Sequence, residues 1–396
     1  MAKHDGAAST QATDFTKQNL QERLAWARSI WEVARTRSFA MQFMGSDSNS
    51  VIQRITELTQ VKGASKAVIQ LVADLEYDGI SGDNILEGRE ESLRAFEQII
   101  RYDMLRTATR NKGLLADKKS TIDFRNQSKD KLGYFFANRI DQLIFLTLAG
   151  LDYTLKNDGG LRPAAGGSAL IAGDHEFDQK DRSAFLDLEF RNDLVAPSAG
   201  RHLQVSGDTV VLSAPATLTA DDKLTYSALV RAKAYAKETG LRGIRKGNDE
   251  LYHVIVTPQG LADLRLDPEF LENVRSAGAR GDKNELFAGA SSVLIDGMVV
   301  HEYRLCPTNR KDTTGWGATD DVTAQYCLIL GAQALGFADF GAPQWTEKTF
   351  DYGNNHGIAT NKIFGMLKPQ FENDWMEGNK EDYGVIRLDA AMTPLA

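Results

Sequence analysis

The sequence predicts an α+β protein large enough for two lobes, and three observations carry that reading. Residues 121–151 hold one long helical period. Before it, two β-textured segments flank an acidic, glycine-containing stretch. After residue 250, short strands and helices mix, and alternating runs return near the end. A chain of 396 residues can bury two cores rather than one.

In residues 121–151, Leu132, Phe136, Ile140, Leu143 and Leu146 recur at spacings of three and four. No proline interrupts them, Thr121 and Asp123 are candidate N-caps, and Gly150 stands where a left-handed C-cap is wanted. Arg125, Lys129, Asp130, Lys131, Arg139 and Asp141 are expected on a charged opposite side. About 27 residues at 1.5 Å each make a rod of roughly 40 Å. On its own this is the amphipathic core helix of any large α/β protein.

Taken from the start, residues 1–20 are small and polar and read as an arm. Residues 21–44 set Leu24, Ala27, Ile30, Trp31 and Ala34 on one helical face. Trp26, Trp31, Phe39 and Phe43 make this segment sticky, so it docks on its own core or on a neighbouring subunit. Residues 66–75 read as a strand, and 93–101 and 102–110 as further strands. Between them lie Asp78, Asp83, Glu87, Glu90 and Glu91 with several glycines, too long a link for a tight turn. The plain reading is a solvated loop. The sharper one is an extended hairpin that lies over another molecule and pairs its carboxylates with Arg or Lys there.

Residues 156–215 are rich in Gly and Pro and read as a junction, with a small hairpin around Ser206, Gly207 and Asp208. A helix is expected over 219–240 with Thr219 as N-cap. A strand at 251–257 stops at Pro258, a short helix follows around 261–264, and Asp267-Pro268 opens another. Asp296-Gly297 between 292–295 and 298–303 is a type I′ hairpin signal. Residues 326–330 read as a strand and 331–341 as a short helix or turn. Alternation through Trp345, Lys348, Phe350 and Tyr352, then 358–371 and 385–390, predicts strands that go back to the first lobe.

Composition narrows the function. Hydrophobic content of 42% with 25% charged residues belongs to a folded chain, and no apolar run reaches the 18 or so residues of a membrane span. The first residues lack the hydrophobic stretch of a signal peptide. Cys306 and Cys327 form no metal-type pair. A net charge of −8 argues against a wrapper of nucleic acid, which needs a basic face. No phosphate loop, dinucleotide fingerprint, zinc-protease or nucleophile-elbow motif occurs. Asp174, His175 and Glu176 form one polar triplet, and His253 and His301 sit on predicted strands. We therefore expect no catalytic, cofactor or metal site, and read the features as those of self-assembly.

Several phrases resemble a known family. They are Asp83-Asn84-Ile85-Leu86-Glu87-Gly88, Pro197-Ser198-Ala199-Gly200-Arg201-His202, and 218–224 beginning Leu218-Thr219. Further on come Ala279-Arg280-Gly281-Asp282-Lys283-Asn284, Asp351-Tyr352-Gly353-Asn354 and Asp382-Tyr383-Gly384. In this order, over roughly residues 50–396, the chain resembles major capsid proteins of tailed bacteriophages of the phage N-four type, with the HK97-like fold.

The resemblance implies an N-terminal arm at 1–50, an extended loop at 51–115 and a peripheral domain with a spine helix at 116–215. It implies an axial domain at 216–350 and peripheral return strands at 351–396. Inter-subunit contacts are expected at Trp26, Trp31, Phe39, Phe43, Asp78, Asp83, Glu87, Glu90, Glu91, Arg101, Arg280, Asp282 and Lys283. The implied partners are further copies in pentamers and hexamers, a separate scaffolding protein, a portal protein, and a decoration protein where one is used. The shell would enclose double-stranded DNA without reading its sequence, and no membrane is involved. Assembly would take place in the host bacterial cytoplasm. A cellular nanocompartment shell shares the fold, and a carboxylate-based hydrolase with the hairpin as lid is the reading from another class. Residues 156–173 match nothing in the family pattern.

Overall fold

A computed structural model describes residues 20–56, 67–72, 78–92, 95–119, 123–162, 183–247, 249–277, 292–312, 315–372 and 380–394. In chain order the elements begin with α1 (Leu20–Arg37), β1 (Met44–Gly45), β2 (Ile52–Ile55), β3 (Ala67–Val72), β4 (Ala95–Ile100), β5 (Asp103–Arg110), α2 (Leu114–Lys119) and α3 (Phe124–Ala149). They continue with β6 (His202–Ser206), β7 (Thr209–Leu212), α4 (Tyr226–Glu238), β8 (Ile244–Lys246), β9 (Asp249–Val256), α5 (Pro258–Leu266), α6 (Pro268–Ala277), β10 (Ser292–Ile295) and β11 (Met298–Glu302). The last are β12 (Ala324–Leu330), β13 (Leu335–Asp339), β14 (Gln344–Phe350), β15 (Asn355–Leu367), β16 (Gln370–Glu372), β17 (Lys380–Asp382) and β18 (Val385–Ala391).

The chain forms two compact units. The smaller one takes Met1–Ser38, Met104–Arg139 and Gly341–Ile363, and the larger one takes Phe39–Asp103, Ile140–Phe340 and Phe364–Ala396. The boundary thus falls inside α3, inside β15 and after the first residue of β5.

In the smaller unit α1 buries Ala27, Ile30, Trp31 and Ala34, and α3 buries Leu132, Phe136 and Ala137. Gly133 lets the two helices meet: a Cβ there would stand 2.9 Å from Val33 Cγ1 and 3.2 Å from the Ile30 carbonyl oxygen. Strand β14 pairs antiparallel with the first part of β15, from Gln344 opposite Asn361 to Phe350 opposite Asn355. Arg125 on α3 donates to Glu347 at 2.9 Å, and Trp345 Nε1 donates to the same carboxylate at 2.9 Å. The first turn of α3 is capped by Asp123, whose Oδ1 accepts from the Arg125 and Asn126 amides at 3.0 and 3.3 Å.

In the larger unit an eight-stranded sheet runs β10-β11-β9-β12-β18-β6-β7, with β8 on β9. Strands β12 and β18 lie at its centre, and every residue of both is buried. One face packs under α4, α5 and α6 through Leu229, Ala232, Leu261, Leu264 and Phe270. A second sheet carries β1, β2 and β13 in parallel, with β13 antiparallel to the end of β15 from Gly336 opposite Leu367. Cys306 and Cys327 are both buried, and burial pushes both thiols well up from their ordinary range.

Four sequence expectations change. Residues 331–341 open with the expected turn, in which Gln333 takes φ 52°, but then form strand β13 rather than a helix. The helix expected over 219–240 begins only at Tyr226, with Thr225 accepting from the Ala228 amide at 3.2 Å. Thr219 instead donates through both its amide and hydroxyl to Asp222 at 2.7 Å, closing a turn before the helix. Strand β18, read as going back to the first lobe, enters the eight-stranded sheet between β12 and β6: Ile386, Leu388 and Ala390 join its core, while Arg387 and Asp389 on the other face are buried as a mutually bonded pair. Asp141, assigned to the charged side of the long helix, is 1% exposed.

Candidate functional site

Two regions hold most of the described residues singled out in the sequence. The first is the short segment after α1. In the larger unit Phe39 stacks on Tyr303 with centroids 4.2 Å apart and planes 10° from parallel. Phe43 lies 5.1 Å from His253 and 5.2 Å from His301. The two imidazoles meet Nδ1 to Nε2 at 2.9 Å on neighbouring strands β9 and β11. Under this segment sits Asp141, accepting from the Phe39 amide at 2.9 Å, the Ala40 amide at 3.3 Å and the Tyr303 hydroxyl at 2.6 Å. One carboxylate on the long helix therefore holds a turn, a tyrosine and an aromatic stack. Burial, then the Asp141 charge, drives the Tyr303 phenol far up, so it stays a donor. Burial lowers His253, and burial together with His253 lowers His301 to about 4, so both rings are neutral near pH 7.

Trp26 and Trp31 belong to the smaller unit. Trp26 sits 5.5 Å from Trp345 with Lys129 Nζ 5.3 Å from its ring, and Trp31 is buried with Lys362 Nζ 4.0 Å over it. These four aromatics are covered largely by their own units.

The second region is the hairpin. Strands β3 and β4 pair from Ala67 opposite Ile100 to Val72 opposite Ala95. Its base is rooted in the larger unit: Ala67, Ile69 and Ile100 pack on Ala338 and Leu367. Arg101 follows β4 and pairs with Asp193 at 3.4 Å. Beyond the strands, residues 78–92 stand out. Asp78, Asp83, Glu87 and Glu90 are exposed and Glu91 is half-buried, with Arg89 the one cation among them. Gly79, Gly82 and Gly88 take φ of 78°, 69° and 84° with nothing within 4 Å of a Cβ position. The loop is shaped locally, by Asn84 donating to the Ser81 carbonyl at 2.7 Å and the Gly88 amide to Glu90 at 2.8 Å. At its centre Ile85 is 75% exposed and Leu86 57% exposed. Two adjacent aliphatic side chains held in water cost solvation free energy that a covering surface recovers, about 1.5–3 kcal/mol for each one fully buried.

Sequence reasoning passed over Ile85 and Leu86 as binding residues. The signal was present: two neighbouring aliphatics with no helical or strand period, inside a run of acids and glycines. Arg280, Asp282 and Lys283 lie outside the described residues, as do Asp174, His175 and Glu176.

Ser213, His202 and Asp389 come together in the larger unit, yet not as a nucleophile with its base. Ser213 Oγ at 3.0 Å and His202 Nε2 at 2.7 Å both bond Asp389 Oδ2, so no imidazole faces the hydroxyl. Arg387 bonds the same carboxylate at 2.8 Å. Burial alone would raise Asp389, but Arg387 and His202 hold it below the ordinary range. This is a closed structural cluster of satisfied charges. Among the described residues no helix is long and apolar enough to cross a membrane.

A 26-residue helix, an exposed hairpin rooted in one sheet and a separate eight-stranded sheet under helices define the HK97-like class of shell subunits. Comparison with known proteins agrees. Residues 15–393 match the family model described as phage capsid protein. The major capsid protein of Pseudomonas phage KPP25 is 43% identical over 385 residues, 96% of this chain and 97% of that protein. The capsid of Ralstonia phage GP4 superposes with a TM-score of 0.70 at 22% identity, covering 100% of this chain and 99% of that one. The capsid asymmetric unit of cyanophage Pam1 gives 0.67 at 16% identity, covering 99% of each. The chain belongs to the phage capsid protein family. It is a major capsid protein of a tailed phage, a subunit that forms the virion shell.

Proposed function

We propose that this subunit closes the shell by laying the acidic hairpin of residues 78–92 over a neighbouring copy. The observation that carries the reading is the outward pair Ile85 and Leu86, ringed by carboxylates at the tip of a hairpin whose base is firmly packed. The aliphatics supply the contact free energy, and the carboxylates select a basic receptor and fix the approach. Each exposed ion pair contributes at most about 1 kcal/mol, so stability of the shell comes from many repeated contacts.

In this reading residues 1–50 are the arm, 51–115 the extended loop, 116–215 the peripheral domain and 216–350 the axial domain around which pentamers and hexamers close. Residues 351–396 supply the return strands, except that β18 joins the eight-stranded sheet. A separate scaffolding protein sets curvature, a portal protein occupies one vertex, and a decoration protein adds to the outside where one is used. The shell encloses double-stranded DNA, assembles in the host bacterial cytoplasm and has no catalytic duty of its own.

Negative-stain microscopy of the expressed chain, alone and with its scaffold, is expected to show rings or closed shells; a monomer under every condition would sink the reading. Deleting residues 81–91 is expected to leave a folded, monodisperse subunit that no longer assembles. Loss of folding instead would mean that the loop belongs to the core.

A further inference from the structure

The chain total of −8 hides an uneven division. The smaller unit holds 17 basic against 9 acidic residues, and the larger 29 against 45, giving net charges of +8 and −16. At physiological salt, charges more than about 8 Å apart are largely screened, so the local set governs what a surface attracts. We propose that the solvent face of α1 and α3 in the smaller unit, centred on Arg37, Lys131 and Tyr134, binds the phosphate backbone of double-stranded DNA. The inference rests on the shell reading only in supplying the polyanion.

The geometry is specific. Tyr134 is 36% exposed, with Arg37 Cζ 3.9 Å and Lys131 Nζ 5.7 Å from its ring centre. Arg37 and Lys131 are themselves exposed, and so are Arg28 and Arg35 on α1. The outward stripe of α3 reads Gln127, Lys131, Tyr134 and Asn138, at i, i+4, i+7 and i+11, with no carboxylate. It spans about 16 Å, a length over which duplex DNA presents about ten phosphate charges. The exposed acid closest in sequence to these α1 cations is Glu32, one turn from Arg28 and from Arg35. Guanidinium, ammonium, phenol and amide groups are the donors that contact phosphate oxygens without reading bases.

The acidic hairpin of another copy is the competing occupant. Its exposed Ile85 and Leu86 need an apolar receptor, and among the described residues this face offers no exposed large aliphatic side chain, only Tyr134. Phosphate needs none. The chain is thereby expected to bind DNA weakly and without sequence preference, tethering rather than wrapping it.

The test is fluorescence anisotropy of a labelled 30-base-pair duplex with the full-length chain across a salt series. Wild type is expected to bind at about 50 mM salt and to lose affinity steeply on going to about 200 mM. Arg37→Glu with Lys131→Glu should weaken binding at least about tenfold. Arg37→Gln with Lys131→Gln, which preserves side-chain bulk, should make the slope of log K against log salt shallower by about 1.8. The matched swap Arg245→Glu with Lys246→Glu, on exposed residues of the larger unit, should change affinity by no more than about twofold. No wild-type binding at 50 mM salt, or equal loss in both swaps, would overturn the proposal. Microscopy of the same variants separates the two occupants. Shells that still form from the Arg37/Lys131 variants support DNA, whereas lost shells with intact DNA binding overturn it in favour of a second copy. If wild type binds DNA with the expected slope but never forms shells, the shell reading fails and the binding face stands.

Discussion

Residues 39–43 and residues 78–92 both look adhesive in the sequence, yet the chain uses them in opposite directions. Phe39 and Phe43 turn inward onto Tyr303, His253 and His301, and their turn is bonded from below by Asp141. Ile85 and Leu86 turn outward, and the bonds that shape their loop are local to it. The difference lies in polar satisfaction. A backbone turn brought into a core must find acceptors, and Asp141 supplies one for two amides and a hydroxyl. A loop that stays in water needs no such partner, so its aliphatics remain available to another molecule.

The strongest way to break this contrast is to remove the inward anchor. Asp141→Ala leaves two amides and the Tyr303 hydroxyl without their acceptor in a buried site, and is expected to cost about 3 kcal/mol or more. Urea unfolding of the unassembled subunit measures it; a cost under about 1 kcal/mol would mean the segment is not held there.

Acid should loosen the same region more gently. His301 is lowered to about 4 in the folded chain, by burial and by His253, against 6.5 in an unfolded one. The folded state therefore binds fewer protons, and this contribution is fully present above pH 6.5 and lost as pH falls from there towards 4. His301→Phe should flatten the stability profile between pH 6.5 and 4, leaving the rest of the acid response to the carboxylates.

The smallest effect on folding is expected at the outward pair. Ile85→Ser with Leu86→Ser should change unfolding free energy by no more than about 0.5 kcal/mol. The subunit concentration at which shells appear should nevertheless rise at least about tenfold, since each lost apolar contact removes over about 1.4 kcal/mol. A large folding defect with normal assembly would invert the comparison.

Much of the fold was legible because it follows from period and punctuation. The long helix runs Phe124–Ala149 under an Asp123 cap, and Gly150 ends it with φ 66°. Asp296 and Gly297 take φ of 44° and 78°, as a type I′ turn requires. What escaped depends on contacts far along the chain. Asp141 sits within the polar run of a helix, and only the arrival of residues 39–40 and 303 makes it an interior group. Strand β13 was hidden because Leu335–Asp339 is short, glycine-containing and buried throughout, so it shows no alternation. The position of β18 is set by its partners β12 and β6, and no local pattern specifies which sheet a strand buried on both faces joins. At the candidate site the acids were plain, but the aliphatic pair they surround was not weighed as a contact.

The two cysteines have a practical consequence. Both are buried, with thiols that burial keeps protonated, so the native chain is chemically silent towards maleimides and disulfide reagents. A single thiol introduced at Leu86 would be the one reactive sulfur per subunit. Crosslinking or dye quenching from that position would then follow, copy by copy and in real time, where each hairpin lands as a shell closes.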